Sequence, residues 1–430
     1  MIRRLFDCLS LPLPIIRAAT AQWVGALLSG AISVALMAWL ARVMGPPEFA
    51  TFGAALNAAL ITLVLLDGGW SALLYRELAG ASVAPCSEHL PAAALTHAAL
   101  ALGPCALALA LVLPSSPVAL SAAICMFAVA LMNQYSARLR AAGAFVHEAL
   151  WQLTGRACSA AAIVAVLVMF SDPSSSEVRP ATQVFLAWTA GLAFCLLLSA
   201  PHWWCVPNFQ AGRSMYLLAL SMLVTELSVT LIGKGDLVLL SLANSVGVVK
   251  STPQDAEAIV GYAASIRLVE GVLLLVAPMS NVVVAYLRES TPASRAPSLQ
   301  NVLNVALALW LLGCILCTLG WAAGSVIFRV VFGTAYEGNA SWLVWASLPL
   351  PWMMANLVLL QVAIARADLR LIVGRVFFCA IFFLVACVVL MWMMGPSGVG
   401  VGSALAQALL SALLVNCILH ESDGGSGERR

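Results

Sequence analysis

LIVGRVFFCAIFFLVACVVLMWMM occupies residues 371–394 and carries a single charge, Arg375. About twenty apolar residues rising 1.5 Å each cross the roughly 30 Å hydrocarbon core of a bilayer as one α-helix. The stretch does not alternate polar with apolar residues, so a strand of a membrane barrel is excluded. Blocks of the same kind recur along the chain, between breaks such as Gly45-Pro46-Pro47, Pro114-Ser115-Ser116-Pro117, Asp172-Pro173 and Gly395-Pro396. The first half holds spans at 18–41, 51–73, 92–113, 118–137, 150–170 and 182–200; the second holds 215–241, 259–282, 301–323, 341–363, 371–394 and 403–419. The expectation is an all-α polytopic membrane protein of about twelve transmembrane helices.

Composition closes off other classes. Of 430 residues, 62% are hydrophobic and 9% charged, against roughly 25% charged in soluble domains. So few charges cannot cover a water-soluble surface of this length. The net charge of +2 and the absence of basic runs point away from nucleic acid. Of the twelve cysteines, Cys105, Cys125, Cys158, Cys195, Cys379 and Cys387 fall inside spans and act there as small hydrophobes. No cleaved signal peptide is read at the N-terminus, where Arg17 leads into the first span.

Basic residues set the expected orientation. With the N-terminus inside, fourteen of the 21 Lys and Arg fall on cytoplasmic segments and four outside (Arg42, Arg179, Lys250, Arg329), while Arg156, Lys234 and Arg267 lie within spans. That asymmetry obeys the positive-inside rule and puts both termini in the cytoplasm. The expected domains are a six-helix bundle at 1–200, a cytoplasmic linker at 201–214, a second six-helix bundle at 215–420 and a disordered tail at 421–430. Residues 47–55 and 255–264 are both acidic turns running into a small-residue and aromatic helix start, a faint parallel repeat. Such repeats form transporters with the site in the cleft between halves.

Several stretches carry a family resemblance. Leu40 to Ala50, ARVMGPPEFA within it, resembles the turn after the first helix of polysaccharide flippases, although Ala50 and Thr51 stand where a Gly is usual. Leu66-Asp67-Gly68-Gly69-Trp70 with Tyr75-Arg76-Glu77-Leu78-Ala79 is similar to the family's "l-D-G … R-x-x-A". Asp236 to Leu239, then Val260 to Leu268, look like "D-x-x-x-L … G-x-Y-x-x-A-x-r-l", and Phe332-Gly333-Thr334-Ala335-Tyr336 resembles "l-l-f-G-x-x-y". Together these resemble the multidrug/oligosaccharidyl-lipid/polysaccharide (MOP) exporter superfamily, and within it the O-antigen (Wzx-type) flippases of polysaccharide biosynthesis. The resemblance implies two pseudo-symmetric six-helix bundles, MATE/MOP-like, in a bacterial inner membrane. It implies transport by alternating access of a lipid-linked oligosaccharide, a polyprenyl diphosphate carrying an O-antigen or exopolysaccharide repeat unit. Membrane lipids and other polysaccharide assembly proteins are the further partners expected. No hydrolytic constellation and no nucleotide site is read, so no cofactor and no enzymatic step are expected, and the energy source would be a coupling ion (H+ or Na+) or the downstream consumption of product.

Charges in hydrocarbon cost a few kcal/mol each and are seldom left facing lipid. Glu226, Lys234 and Asp236 lie on the seventh span, and Arg267 and Glu270 on the eighth, three residues apart on one helical face where they can pair. Arg156 sits about two turns into the fifth span. A diphosphate needs cations, and Arg17, Arg76, Arg156, Lys234 and Arg267 are those available. Asn57, Asn133, Gln134, Gln152, Asn281 and Gln361 offer hydrogen bonds to sugar. Each intramembrane charge can instead pair between helices and only fix the fold. Asp67, near the cytoplasmic end and within reach of Arg76, is read as a gate or a structural pair.

Other motifs are set aside. Cys314-x-x-Cys317 lies in an apolar span without further ligands, so no metal is expected. Gly398-Val399-Gly400-Val401-Gly402 follows no strand, which leaves close helix approach or a turn. Asn339-Ala340-Ser341 is a glycosylation triplet of a kind common by chance. The rival reading within the superfamily is a MATE-like multidrug or small-solute antiporter, marked by an acidic cation site and few cavity arginines. A membrane-embedded glycosyltransferase or polymerase needs a larger outer loop than 171–181 or 242–258.

Overall fold

The computed structural model describes residues 13–78, 89–113, 115–169, 181–199, 213–245, 258–274, 299–366 and 369–424. The linker expected at 201–214 therefore falls almost wholly outside the described residues, as does most of the tail. The helices are α1 (Leu13–Met44), α2 (Pro46–Asp67), α3 (Trp70–Leu78), α4 (Leu90–Val112), α5 (Ser116–Ala141), α6 (Phe145–Met169) and α7 (Ala181–Leu198). The second half follows with α8 (Arg213–Ser245), α9 (258–274), α10 (Leu299–Val331), α11 (Trp342–Ser347), α12 (Leu350–Arg366), α13 (Leu369–Met394) and α14 (Gly398–Gly424). A 3-10 turn, Thr334–Asn339, joins α10 to α11. No strand occurs among the described residues.

Ten stretches of the described residues are long and apolar enough to cross a membrane. The last of them, Leu371–Leu419, holds both α13 and α14, separated at Gly395 (φ 72°) and Pro396. With α9 added, a helix coincides with each of the twelve spans read from the sequence, and the chain is a multi-pass membrane protein.

The ends of the spans follow from backbone chemistry. Pro46 and Pro47 open α2, where a missing N–H costs nothing. Its end corrects the sequence reading, which carried the second span on to residue 73. Gly68 and Gly69 adopt φ of 62° and 76°, so the helix stops at Asp67 and α3 departs separately. At the other end of the chain α14 runs to Gly424, into the stretch assigned to the tail. Gly398, Gly400 and Gly402 make the close approach expected of them. A Cβ there would lie within 3 Å of Leu390, Trp345 and Cys387 atoms.

Alternation of the helices gives the molecule two faces. One, the N-terminal face, carries the starts of α1, α6 and α8 and the ends of α2, α5 and α12. The opposite face carries the starts of α2, α5 and α9 and the ends of α1, α8 and α10. α2 is the most buried span and lies lengthwise on α8, forming a seam between the halves. Gly53 meets Leu237 and Ala263, and Gly69 rests on Ala219 and Leu223. At the opposite face, Tyr336 Oη donates to the Ala41 carbonyl (3.1 Å) and Arg42 Nη2 to the Val330 carbonyl (2.5 Å). Phe49 packs edge-on to Tyr336, their centroids 6.2 Å apart, so the same corner binds α1, α2 and the 3-10 turn. Burial pushes the Tyr336 phenol above its ordinary range, and its hydroxyl keeps the proton it donates.

Candidate functional site

α8 and α9 bring three charges together against α2. Glu270 accepts from Arg267 Nη1 at 2.6 Å and from Lys234 Nζ. Arg267 Nη2 donates to Asn57 Oδ1 (2.5 Å) and to the Gly53 carbonyl (3.1 Å), both across the seam. Asn57 Nδ2 donates in turn to the Lys234 carbonyl at 3.4 Å. Arg267 is 7% exposed, while the side chains of Lys234 and Glu270 are 28% and 20% exposed. The buried Nε of Arg267 has no hydrogen-bond partner among the described residues.

Asp236 faces elsewhere. It accepts from the buried Tyr262 hydroxyl (2.9 Å) and from the Leu237 N–H (2.8 Å). Both donors lie on α8 and α9; Lys234 and Glu270 act on it through space, and Glu270 is the acid that holds the two cations. Lys234 is the most exposed of the set and the one whose charge is freest to meet a ligand.

Glu226 lies apart, two turns nearer the N-terminal face. The charged groups acting on it through space are Asp67 and Arg140. Its carboxylate makes no hydrogen bond or ion pair among the described residues. Asp67 accepts from the Ser71 N–H at 3.1 Å and from the Ser71 hydroxyl, which fixes the start of α3. Arg140 lies 5.7 Å from the Tyr75 ring. Arg156 lies on α6 with its guanidinium 5.8 Å from the Trp188 ring and no ion pair to a carboxylate among the described residues. Arg17 falls in α1 and Arg76 in α3, with their side chains outside the described residues.

The site thus gathers Lys234, Arg267 and Glu270, with Asn57, and leaves Glu226 and Arg156 as separate charges. Of the other amides considered, Gln134 donates to the Ala94 carbonyl (3.3 Å) and Gln152 to Ser136 (2.9 Å). Asn281 lies outside the described residues. One buried carboxylate escaped the sequence reading. Glu148, in the first turn of α6, is held by Gln22 of α1 and Ser136 of α5. Position in a helix's first turn was its only visible signal, because the macrodipole favours an acid there.

No protein-family profile and no curated protein matches this sequence. Solved structures do match its fold. The lipid II flippase MurJ in an inward closed conformation is 11% identical, with a TM-score of 0.65 over 94% of this chain and 87% of that one. An inward-facing multidrug resistance MATE family transporter of the MOP superfamily is 12% identical, at 0.58 over 95% and 100%. A MOP superfamily transporter from Pyrococcus furiosus, described by the reverse polarity of its binding pocket, is 13% identical, at 0.60 over 97% of each chain. Identities this low carry the architecture alone: the chain has the fold of MOP superfamily transporters.

Proposed function

We propose that this chain is a flippase that moves polyprenyl-diphosphate-linked oligosaccharide across a bacterial cytoplasmic membrane for O-antigen or exopolysaccharide assembly. The observation that carries the reading is the convergence of Lys234 and Arg267 on Glu270 at the seam. Two cations on one carboxylate, tied to the other half through Asn57, suit a diphosphate that displaces Glu270 from one of them. Phosphate oxygens accept the same donors that Glu270 accepts, so the exchange conserves hydrogen bonds. The likeness to a structure named as a lipid II flippase supports a lipid-linked cargo. Alternating access by rocking of the bundle at 1–200 against that at 215–420 follows from the parallel repeat. Both termini would then be cytoplasmic, with membrane lipids around the chain and other polysaccharide assembly proteins as partners.

A second reading has its own observation. Glu226, unpartnered in the seventh span, suits exchange of H+ or Na+, as in a MATE-like antiporter. It also suits the coupling ion of the flippase. Proteoliposomes separate the two. The flippase reading expects transfer of a fluorescent undecaprenyl-diphosphate-linked disaccharide to the far leaflet, with no ion-driven efflux of ethidium. Efflux without lipid transfer would replace it by the antiporter.

A further inference from the structure

Between the seam cluster and the opposite face, the two halves line an open cavity of about 600 Å³. That is the size of pockets that hold small ligands. Its walls are helix ends from both halves: Thr51 and Ala54 of α2, Ser115 before α5, Ser241 of α8, Ile259 of α9, and Asn339 of the 3-10 turn. Ala54 is three residues from Asn57 on α2, a rise of about 4.5 Å, so the cavity stands directly over the charged site.

Three properties limit what the cavity can hold. None of its lining residues is charged among the described residues. The hydroxyl of Ser115 makes no capping bond. No side-chain hydrogen bond engages Ser241 or Asn339 among the described residues, so three polar groups face the space with bonding capacity unused. Thr51 alone turns its hydroxyl back, to the Pro47 carbonyl at 3.1 Å. Two of the helix starts that border the cavity, those of α2 and α5, are also poor anion sites. Pro46, Pro47 and Pro117 occupy first-turn positions of α2 and α5 and remove the N–H groups by which a helix start grips a phosphate. Alanine methyls on α2 supply an apolar floor of the kind the C–H face of a sugar ring covers.

From this placement we infer that the cavity is a subsite for the uncharged saccharide of the cargo, held above the diphosphate at Lys234 and Arg267. The inference rests on the flippase reading and adds the recognition of the glycan to it. Charge separation does the sorting: the diphosphate is drawn to the cationic cluster and the neutral sugar to the uncharged vestibule. A cargo carrying both is therefore fixed in one orientation.

The test is binding to the full chain in nanodiscs, with three probes: undecaprenyl diphosphate, the same lipid carrying a neutral disaccharide, and the free disaccharide. The wild type should bind the glycosylated lipid about tenfold more tightly than the bare lipid. Ser241→Trp and Thr51→Trp, which fill the cavity from α8 and α2, should erase that ratio and leave bare-lipid affinity unchanged. Asn339→Ala, which removes a donor without adding bulk, should reduce it in part. Equal affinities in the wild type, as when a lipid tail occupies the space, would overturn the inference, and so would a ratio that survives both tryptophans. If the wild type binds no bare lipid, the flippase reading fails. The vestibule then stands only if it binds free disaccharide and loses it in Ser241→Trp.

Discussion

Arg267 of α9 donates from Nη2 to Asn57 Oδ1 of α2 at 2.5 Å, and that bond ties the intramembrane charges of one half to a buried amide side chain of the other. A helix seam that carries a polar tie at mid-depth can report to both halves whether a ligand occupies it. Each charge of the cluster should therefore respond differently to removal.

Arg267→Ala leaves Glu270 neutralised by Lys234, so the protein should reach the membrane at its normal level while glycan export falls at least about tenfold. Glu270→Ala instead leaves two cations together without their shared ion-pair partner, with Asp236 acting on Lys234 only through space. The cost of a fully buried pair broken this way is about 3–5 kcal/mol, reduced here because Lys234 and Glu270 are partly exposed. Thermal melts in detergent should rank Glu270→Ala below Arg267→Ala. The double variant, Arg267→Ala with Glu270→Ala, should fail to restore export. Restoration would make the pair structural and remove Arg267 from the cargo site.

How much of this could be read in advance differs by distance along the chain. The spans were legible because each is a local run of apolar residues whose length matches the bilayer. The Arg267–Glu270 pair was legible because three residues on a helix share a face. Capture of the same carboxylate by Lys234 was not, since it joins positions 36 apart through the packing of α8 on α9. Likewise Asp236, two residues from Lys234, could have joined the cluster. Tyr262 claims it instead, and only the rotation of α9 shows that. The stop at Gly68-Gly69 lay in an apolar run that composition alone continues. The vestibule left no sequence signal, being made of small, apolar and uncharged polar residues contributed by five separate segments.

Glycine positions give a contrast independent of transport. Gly69 combines φ of 76° with a Cβ position 2.4 Å from the Ala219 carbonyl oxygen, whereas Gly143 has φ of 71° and open space. Gly143→Ala should cost only the left-handed backbone term, about 1–2 kcal/mol. Gly69→Ala should cost more and lower the yield of folded protein, because α8 backbone cannot move aside. Equal melting temperatures for the two variants would show that the turn between α2 and α3 does not meet α8 there.

The corner at the opposite face predicts a smaller effect. Tyr336→Phe removes the bond to the Ala41 carbonyl and should destabilise by about 1–2 kcal/mol, with the fold intact. A melt unchanged from wild type would mean the carbonyl finds another donor.

Orientation is open to a direct check. Reporter fusions after Arg295 and Arg366 should read cytoplasmic, and those after Ser176 and Gln254 periplasmic, as the basic asymmetry requires. A periplasmic signal at Arg295 would refute the twelve-span topology.

The claim that the seam cluster holds the diphosphate is tested most directly by the affinity of the purified chain for undecaprenyl diphosphate, measured in wild type and in Arg267→Gln. The substitution keeps a hydrogen-bonding side chain for Asn57 and removes the charge. Affinity should fall at least about tenfold, with the melting temperature nearly unchanged. Equal affinity in the two proteins would contradict the account and place the diphosphate elsewhere.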